Sequence, residues 1–110
     1  MNAKVPAHIM KIMKELKEGL VRIYGDRLKD LYLFGSYARG LAQSDSDIDV
    51  MIVLNNYESY GQEIDRTGEL ISKLSLDYGI SISRVIMKEI QWKNSDTPLL
   101  RNIRIDGVPA

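Results

Sequence analysis

Leu31-Tyr32-Leu33-Phe34-Gly35-Ser36, followed after ten residues by Asp47-Ile48-Asp49-Val50-Met51-Ile52-Val53-Leu54, is the stretch whose reading decides the fold. Its first part reads as a short buried strand, Asp30 to Phe34, ended sharply by Gly35. A short helix from Ser36 to Leu41 is expected next, with the serine, a favoured N-cap residue, at its start. Ala42 to Ser46 is polar and reads as a turn. From Ile48 to Leu54 the chain is apolar at nearly every position, as a strand in the middle of a covered sheet must be.

The flanks supply the layers around this pair of strands. Pro6 suits a first helical position, and Ile9, Ile12, Met13, Leu16, Leu20, Ile23 and Tyr24 recur at three- and four-residue spacing. That predicts one amphipathic helix over residues 6–24, closed by Gly25. Beyond Asn55 and Asn56, a second helix over 60–78 is carried by Ile64, Thr67, Ile71, Leu74 and Tyr78 and stopped by Gly79. Ile80 to Met87 reads as a third strand, with Ile80, Ile82, Arg84 and Ile86 on one face and Ser81, Ser83, Val85 and Met87 on the other. A short helix around residues 89–93 and further helical turns from Pro98 to before Gly107 complete the chain. The expectation is an α/β (α+β) layer structure: one domain over residues 1–110, with a small mixed β-sheet of at least three strands backed by the two long helices.

Composition narrows the chemistry. The chain has 110 residues, no cysteine and a single histidine, His8. Disulfides, thiolate metal sites, a cysteine nucleophile and a histidine-built metal centre are excluded, and the absence of cysteine suits a reducing, cytoplasmic setting. His8 falls in the first turn of the first helix and is expected to be exposed. The longest apolar run is the five residues Val50 to Leu54, far short of a membrane span. Lys4, Lys11 and Lys14 interrupt any apolar core of a signal peptide. Fifteen basic and fifteen acidic residues cancel, so strong nucleic-acid binding is not expected. The acids concentrate between residues 32 and 79; those from Glu58 to Glu69 read as solvated helix faces.

Two features remain that carry chemistry. The Gly35-Ser36 corner ends a strand and opens a helix, where a hydroxyl and free backbone N–H groups form an anion site, although such corners also simply end strands in many folds. Asp47 and Asp49 open the apolar strand, and alternate strand residues point the same way, about 6.6–6.8 Å apart at Cα. Neither has a basic partner nearby in sequence. A bound hard divalent cation such as Mg²⁺ would resolve their repulsion; the alternative is a turn residue beside a strand-start residue. Together they make the pattern G-S-x10-D-x-D, which arises by chance in on the order of one chain per thousand of this length.

The segments Gly35-Ser36-Tyr37-Ala38-Arg39-Gly40 and Ser44-Asp45-Ser46-Asp47-Ile48-Asp49-Val50 resemble the minimal nucleotidyltransferases of the DNA polymerase β-like superfamily. The specific likeness covers about residues 31–54, and the order of elements agrees over the whole chain. The resemblance implies a palm-like nucleotidyltransferase fold in which Gly35 and Ser36 hold the phosphates of a nucleoside triphosphate such as ATP. Asp47 and Asp49 would then hold Mg²⁺, in a one- or two-metal site. Arg39 would add charge at the phosphates, or else pair with Asp45 on the surface. The implied reaction is transfer of AMP to a protein partner or small molecule, and small domains of this family act beside a HEPN-domain partner as the antitoxin of a toxin–antitoxin pair. The chain departs from the pattern on the third strand, where the superfamily usually supplies a further carboxylate. Ser83, or failing that Ser81, stands there instead, and a serine cannot serve as a carboxylate base. A nucleotide- and metal-binding domain that acts by covering a partner is therefore a second expectation, and an unrelated α/β domain a third.

Overall fold

The computed structural model describes residues 5–110. Helix α1 spans Ala7–Tyr24, and a 3-10 turn, Gly25–Arg27, leads into strand β1, Leu28–Phe34. The short helix α2, Ser36–Arg39, precedes β2, Ile48–Leu54. Helix α3, Tyr60–Tyr78, crosses to β3, Ile82–Lys88. Two further helices, α4 (Glu89–Asn94) and α5 (Pro98–Asp106), return the chain to the two-residue strand β4, Val108–Pro109.

The four strands form one mixed sheet in the order β3-β2-β1-β4. β1 runs antiparallel to β2 and to β4, whereas β2 and β3, joined through α3, are parallel. The period-two alternation divides the core. Ile48, Val50, Ile52 and Leu54 face the apolar stripes of α1 and α3. Met51 and Val53 point the other way, against Leu100 and Ile103 of α5, with Tyr32, Phe34, Met87 and Trp92 around them. This is why β2 is apolar at almost every position: both of its faces are covered.

Several boundaries differ from the sequence reading. β1 begins at Leu28, not Asp30, because Leu28 pairs with Leu54 across an irregularity in the ladder, and the exposed Lys29 that precedes Asp30 gives no sign of a strand. β3 begins at Ile82, not Ile80: the Ile80 amide is taken by the Ser75 carbonyl as α3 closes. α2 ends at Arg39, where Gly40 turns left-handed, and its N-cap is Gly35, so Ser36 is the first helical residue and makes no capping bond. Ile23, counted in the apolar stripe of α1, is exposed. The strand β4 went unforeseen, since two residues carry no periodicity.

Glu63 is a larger correction. Rather than lying on a solvated face, it is 2% exposed at the α1–α3 contact, where it accepts a 2.8 Å hydrogen bond from the Tyr24 hydroxyl and lies 3.5 Å from Arg66. Arg84 is likewise tied to α3, donating to Thr67 Oγ1 and the Ile64 carbonyl at 2.8 Å each. At the outer edge of β3, the Tyr57 hydroxyl donates to the Ile86 carbonyl and the Ile86 amide donates to the Tyr60 hydroxyl. His8 is exposed, as expected.

Candidate active site

Three neighbouring strands bring the motif residues to one end of the sheet. In the ladder, Asp49 stands opposite Phe34 of β1 on one side and opposite Ser83 of β3 on the other. It shares the face of Met51 and Val53, so its carboxylate emerges on the α5 side just beyond the apolar contacts of β2. Asp47 lies one residue before β2 begins and is exposed, while Asp49 is half-buried. Burial pushes the Asp49 carboxyl above its ordinary value, and the nearby charge of Asp47 pushes it further the same way. Neither carboxylate is in an ion pair; those among the described residues lie elsewhere.

Gly35 fits this arrangement for a reason sequence alone does not disclose. Its backbone sits at φ 77° and ψ −154°, a region essentially reserved for glycine. A Cβ placed on it would collide with Oδ2 of Asp49 and lie 3.2 Å from Cγ. The glycine therefore admits the Asp49 carboxylate against the corner from which α2 departs. Ser36 follows at the first position of that helix, and Arg39 lies one turn on, exposed and in no ion pair with Asp45 or any other described acid.

Ser83 is exposed at the position directly across from Asp49 on the parallel neighbour. No group of three acidic, histidine or cysteine side chains suited to a metal occurs among the described residues, and β3 adds no carboxylate beside Asp47 and Asp49. A cavity of about 170 Å³ opens on the other side of Asp49, lined by Phe34, Gly35, Arg39, Leu99, Asn102 and Asp106. Nothing in the sequence singles out Leu99, Asn102 or Asp106 as site residues. They arrive through β4, whose pairing of Val108 with Leu33 carries the end of α5 to the Gly35 corner.

The site is thus a strand–Gly-Ser corner–helix unit beside a strand with two carboxylates at its head, on a mixed sheet backed by helices. The nucleotidyltransferase domain family matches residues 13–109, and the chain belongs to that family. Among curated proteins it is similar to two from Methanocaldococcus jannaschii that carry the provisional name protein adenylyltransferase. With MJ0141 it is 38% identical over 81 residues, 74% of this chain and 81% of the relative. With MJ0604 it is 38% identical over 98 residues, 88% of this chain and 92% of the relative. The fold is also that of a toxin–antitoxin crystallised with AMP-PNP (TM-score 0.61, 23% identity, 87% of this chain and 70% of the other). A nucleotidyltransferase from Sulfolobus solfataricus, so named by inference, shares it as well (TM-score 0.60, 20% identity, 93% and 78% covered).

Proposed function

We propose that the protein transfers AMP from ATP, with Mg²⁺, to a hydroxyl of a partner protein, in the cytoplasm, as the antitoxin of a HEPN-partnered pair. The hydroxyl loses its proton as the bond between the α- and β-phosphates breaks and pyrophosphate leaves. One observation carries this reading: Asp49 is seated between the Gly35 corner and Ser83 at an open sheet end, with Asp47 beside it and neither carboxylate in an ion pair among the described residues. The names of the M. jannaschii relatives and the AMP-PNP-bound toxin–antitoxin structure support the nucleotide and the kind of partner. No described helix is long and apolar enough to cross a membrane.

The donor set suits a hard divalent cation, since two adjacent carboxylates offer oxygen ligands and carry uncompensated charge. Asp47 and Asp49 would hold Mg²⁺, which when bound supplies Lewis-acid stabilisation of charge on the phosphates. The chain's own residues do the rest. Gly35 and Ser36 receive the β- and γ-phosphates on backbone N–H groups and a hydroxyl, and Arg39 adds charge at the same end. The acceptor hydroxyl approaches from the Ser83 side. Because Ser83 cannot take its proton as a carboxylate would, this chain positions the reactants without a strong base of its own. That feature favours a second reading, a nucleotide-loaded domain whose main work is to cover its partner.

The test is melting temperature with ATP, with and without Mg²⁺, for wild type and Asp49→Asn. Ligand at a hundred times its dissociation constant adds about 2.7 kcal/mol. ATP should raise the wild-type midpoint only with Mg²⁺, and Asp49→Asn should abolish the rise without unfolding the apo protein. An undiminished shift in the variant overturns the assignment. Transfer of label from radiolabelled ATP to the product of the neighbouring gene then separates the active from the covering role.

A further inference from the structure

We propose that the cavity between the Gly35 corner and α5 is the nucleoside end of the same site, and that Asn102 and Asp106 select the nucleotide. The inference rests on the reading of Asp47 and Asp49 above and adds the determinants of specificity. The cavity lies on the Phe34 side of Asp49, whereas Ser83 lies on the opposite side, so nucleotide and acceptor have separate approaches. Its volume, about 170 Å³, is below the roughly 300 Å³ at which pockets begin to hold whole drug-sized ligands. It takes a base and part of its sugar, and leaves the phosphates on the open corner.

The lining has the make-up of a nucleoside site. Phe34 and Leu99 give apolar walls, and Arg39 and Gly35 mark the phosphate end. Leu99, Asn102 and Asp106 stand at intervals of three and four residues on α5, one stripe about 10.5 Å long. Val108 pairs with Leu33, so the chain just before it, at Asp106, comes back beside Gly35, and Asn102 lies a turn further from the phosphates. Asp106, an acceptor only, faces the ribose hydroxyls; Asn102, both donor and acceptor, matches the amino group and ring nitrogen on the edge of adenine. Both side chains are exposed at the mouth of the cavity, and neither has a hydrogen-bond or ion-pair partner among the described residues. Their neighbours on the same helix do: Arg101 pairs with Asp96, and Arg104 donates to the Ser95 carbonyl. Asp106 forms no metal-suited group of three with Asp47 and Asp49.

The experiment is calorimetric titration with Mg²⁺ and four probes: ATP, 2′-deoxy-ATP, purine riboside triphosphate and inorganic tripolyphosphate. Wild type should bind ATP at least tenfold more tightly than tripolyphosphate. Asp106→Ala should lose the preference for ATP over 2′-deoxy-ATP, and Asn102→Ala the preference over purine riboside triphosphate. Tripolyphosphate binding should not weaken in either variant. Equal wild-type affinity for ATP and tripolyphosphate overturns the nucleoside pocket while leaving the phosphate and metal reading intact, and so does a uniform loss across all probes in both variants. If neither ATP nor tripolyphosphate binds, or Asp49→Asn leaves both unchanged, the underlying reading fails as well.

Discussion

Gly35 shows how one residue can serve conformation and site together. An alanine there would meet both a backbone region costing on the order of 1–3 kcal/mol and the Asp49 carboxylate. Gly35→Ala should therefore destabilise the protein by at least about 1 kcal/mol in denaturant titration. It should also weaken Mg·ATP binding in material that remains folded, because the added methyl takes the place of the Asp49 carboxylate and turns it away from the corner. Ser83 offers the converse case, an addition. A positioned general base is worth typically 10²–10⁴-fold, so Ser83→Asp, across the ladder from Asp49, should speed single-turnover AMP transfer at least about tenfold with little change in Mg·ATP affinity. A wild type that transfers rapidly alone and is slowed by the substitution would contradict the reading of that position. At this scale much was legible: G-S-x10-D-x-D named the corner and the carboxylates. The contact between Gly35 and Asp49 was not, because it depends on strand register and not on spacing.

Elements were legible in proportion to their period. The three- and four-residue spacing gave α1 and α3 nearly to the residue, and the continuous apolar run gave β2. β4 escaped because its two residues are defined by backbone pairing to β1, and the start of β1 escaped because the exposed Lys29 and an irregular ladder separate Leu28 from the rest of the strand. The cost of missing β4 was the cavity, since β4 is what returns α5 to the site. α5 itself is nine residues long and is capped by Thr97, whose hydroxyl accepts from the Leu100 amide at 3.3 Å. A helix this short depends on its cap, and removing an N-cap side chain costs about 1 kcal/mol. Thr97→Ala should lower stability by that amount and speed amide hydrogen exchange in the first turn of α5, with exchange in α1 unchanged.

Across the whole molecule, α1 and α3 are joined by apolar packing and by two polar contacts, the buried Tyr24–Glu63 pair and the part-buried bond from the Tyr78 hydroxyl to Glu15. Tyr24→Phe would leave the buried Glu63 without its 2.8 Å donor and should cost about 1–3 kcal/mol at neutral pH. Burial, and then the bond to Glu63, raise the Tyr24 phenol above the ordinary tyrosine value of 10.0. The protonated phenol is thus favoured by folding, so its contribution is complete below about pH 10 and fades as pH climbs beyond that toward the raised folded-state value. The stability gap between wild type and Tyr24→Phe should accordingly narrow above pH 10 in denaturant titrations. Charge counting could not have found this contact, because Glu63 sits among exposed acids in sequence and only the helix packing sets it apart.

The two tyrosines at Ile86 have a consequence for solubility. β3 ends the sheet, and an unpaired strand edge invites a neighbouring molecule to continue the ladder. In a parallel strand the amide and carbonyl of one residue point to the same side, so Tyr57 and Tyr60 occupy both outward groups of Ile86 at once. The Lys88 amide, two residues on, is taken by the Gln91 side chain. Among the described residues, what stays open runs from Ile82 to Arg84, too short a template for stacking one molecule's sheet on the next. The protein thereby keeps a bare strand beside its site while resisting the edge-to-edge association that leads to aggregates.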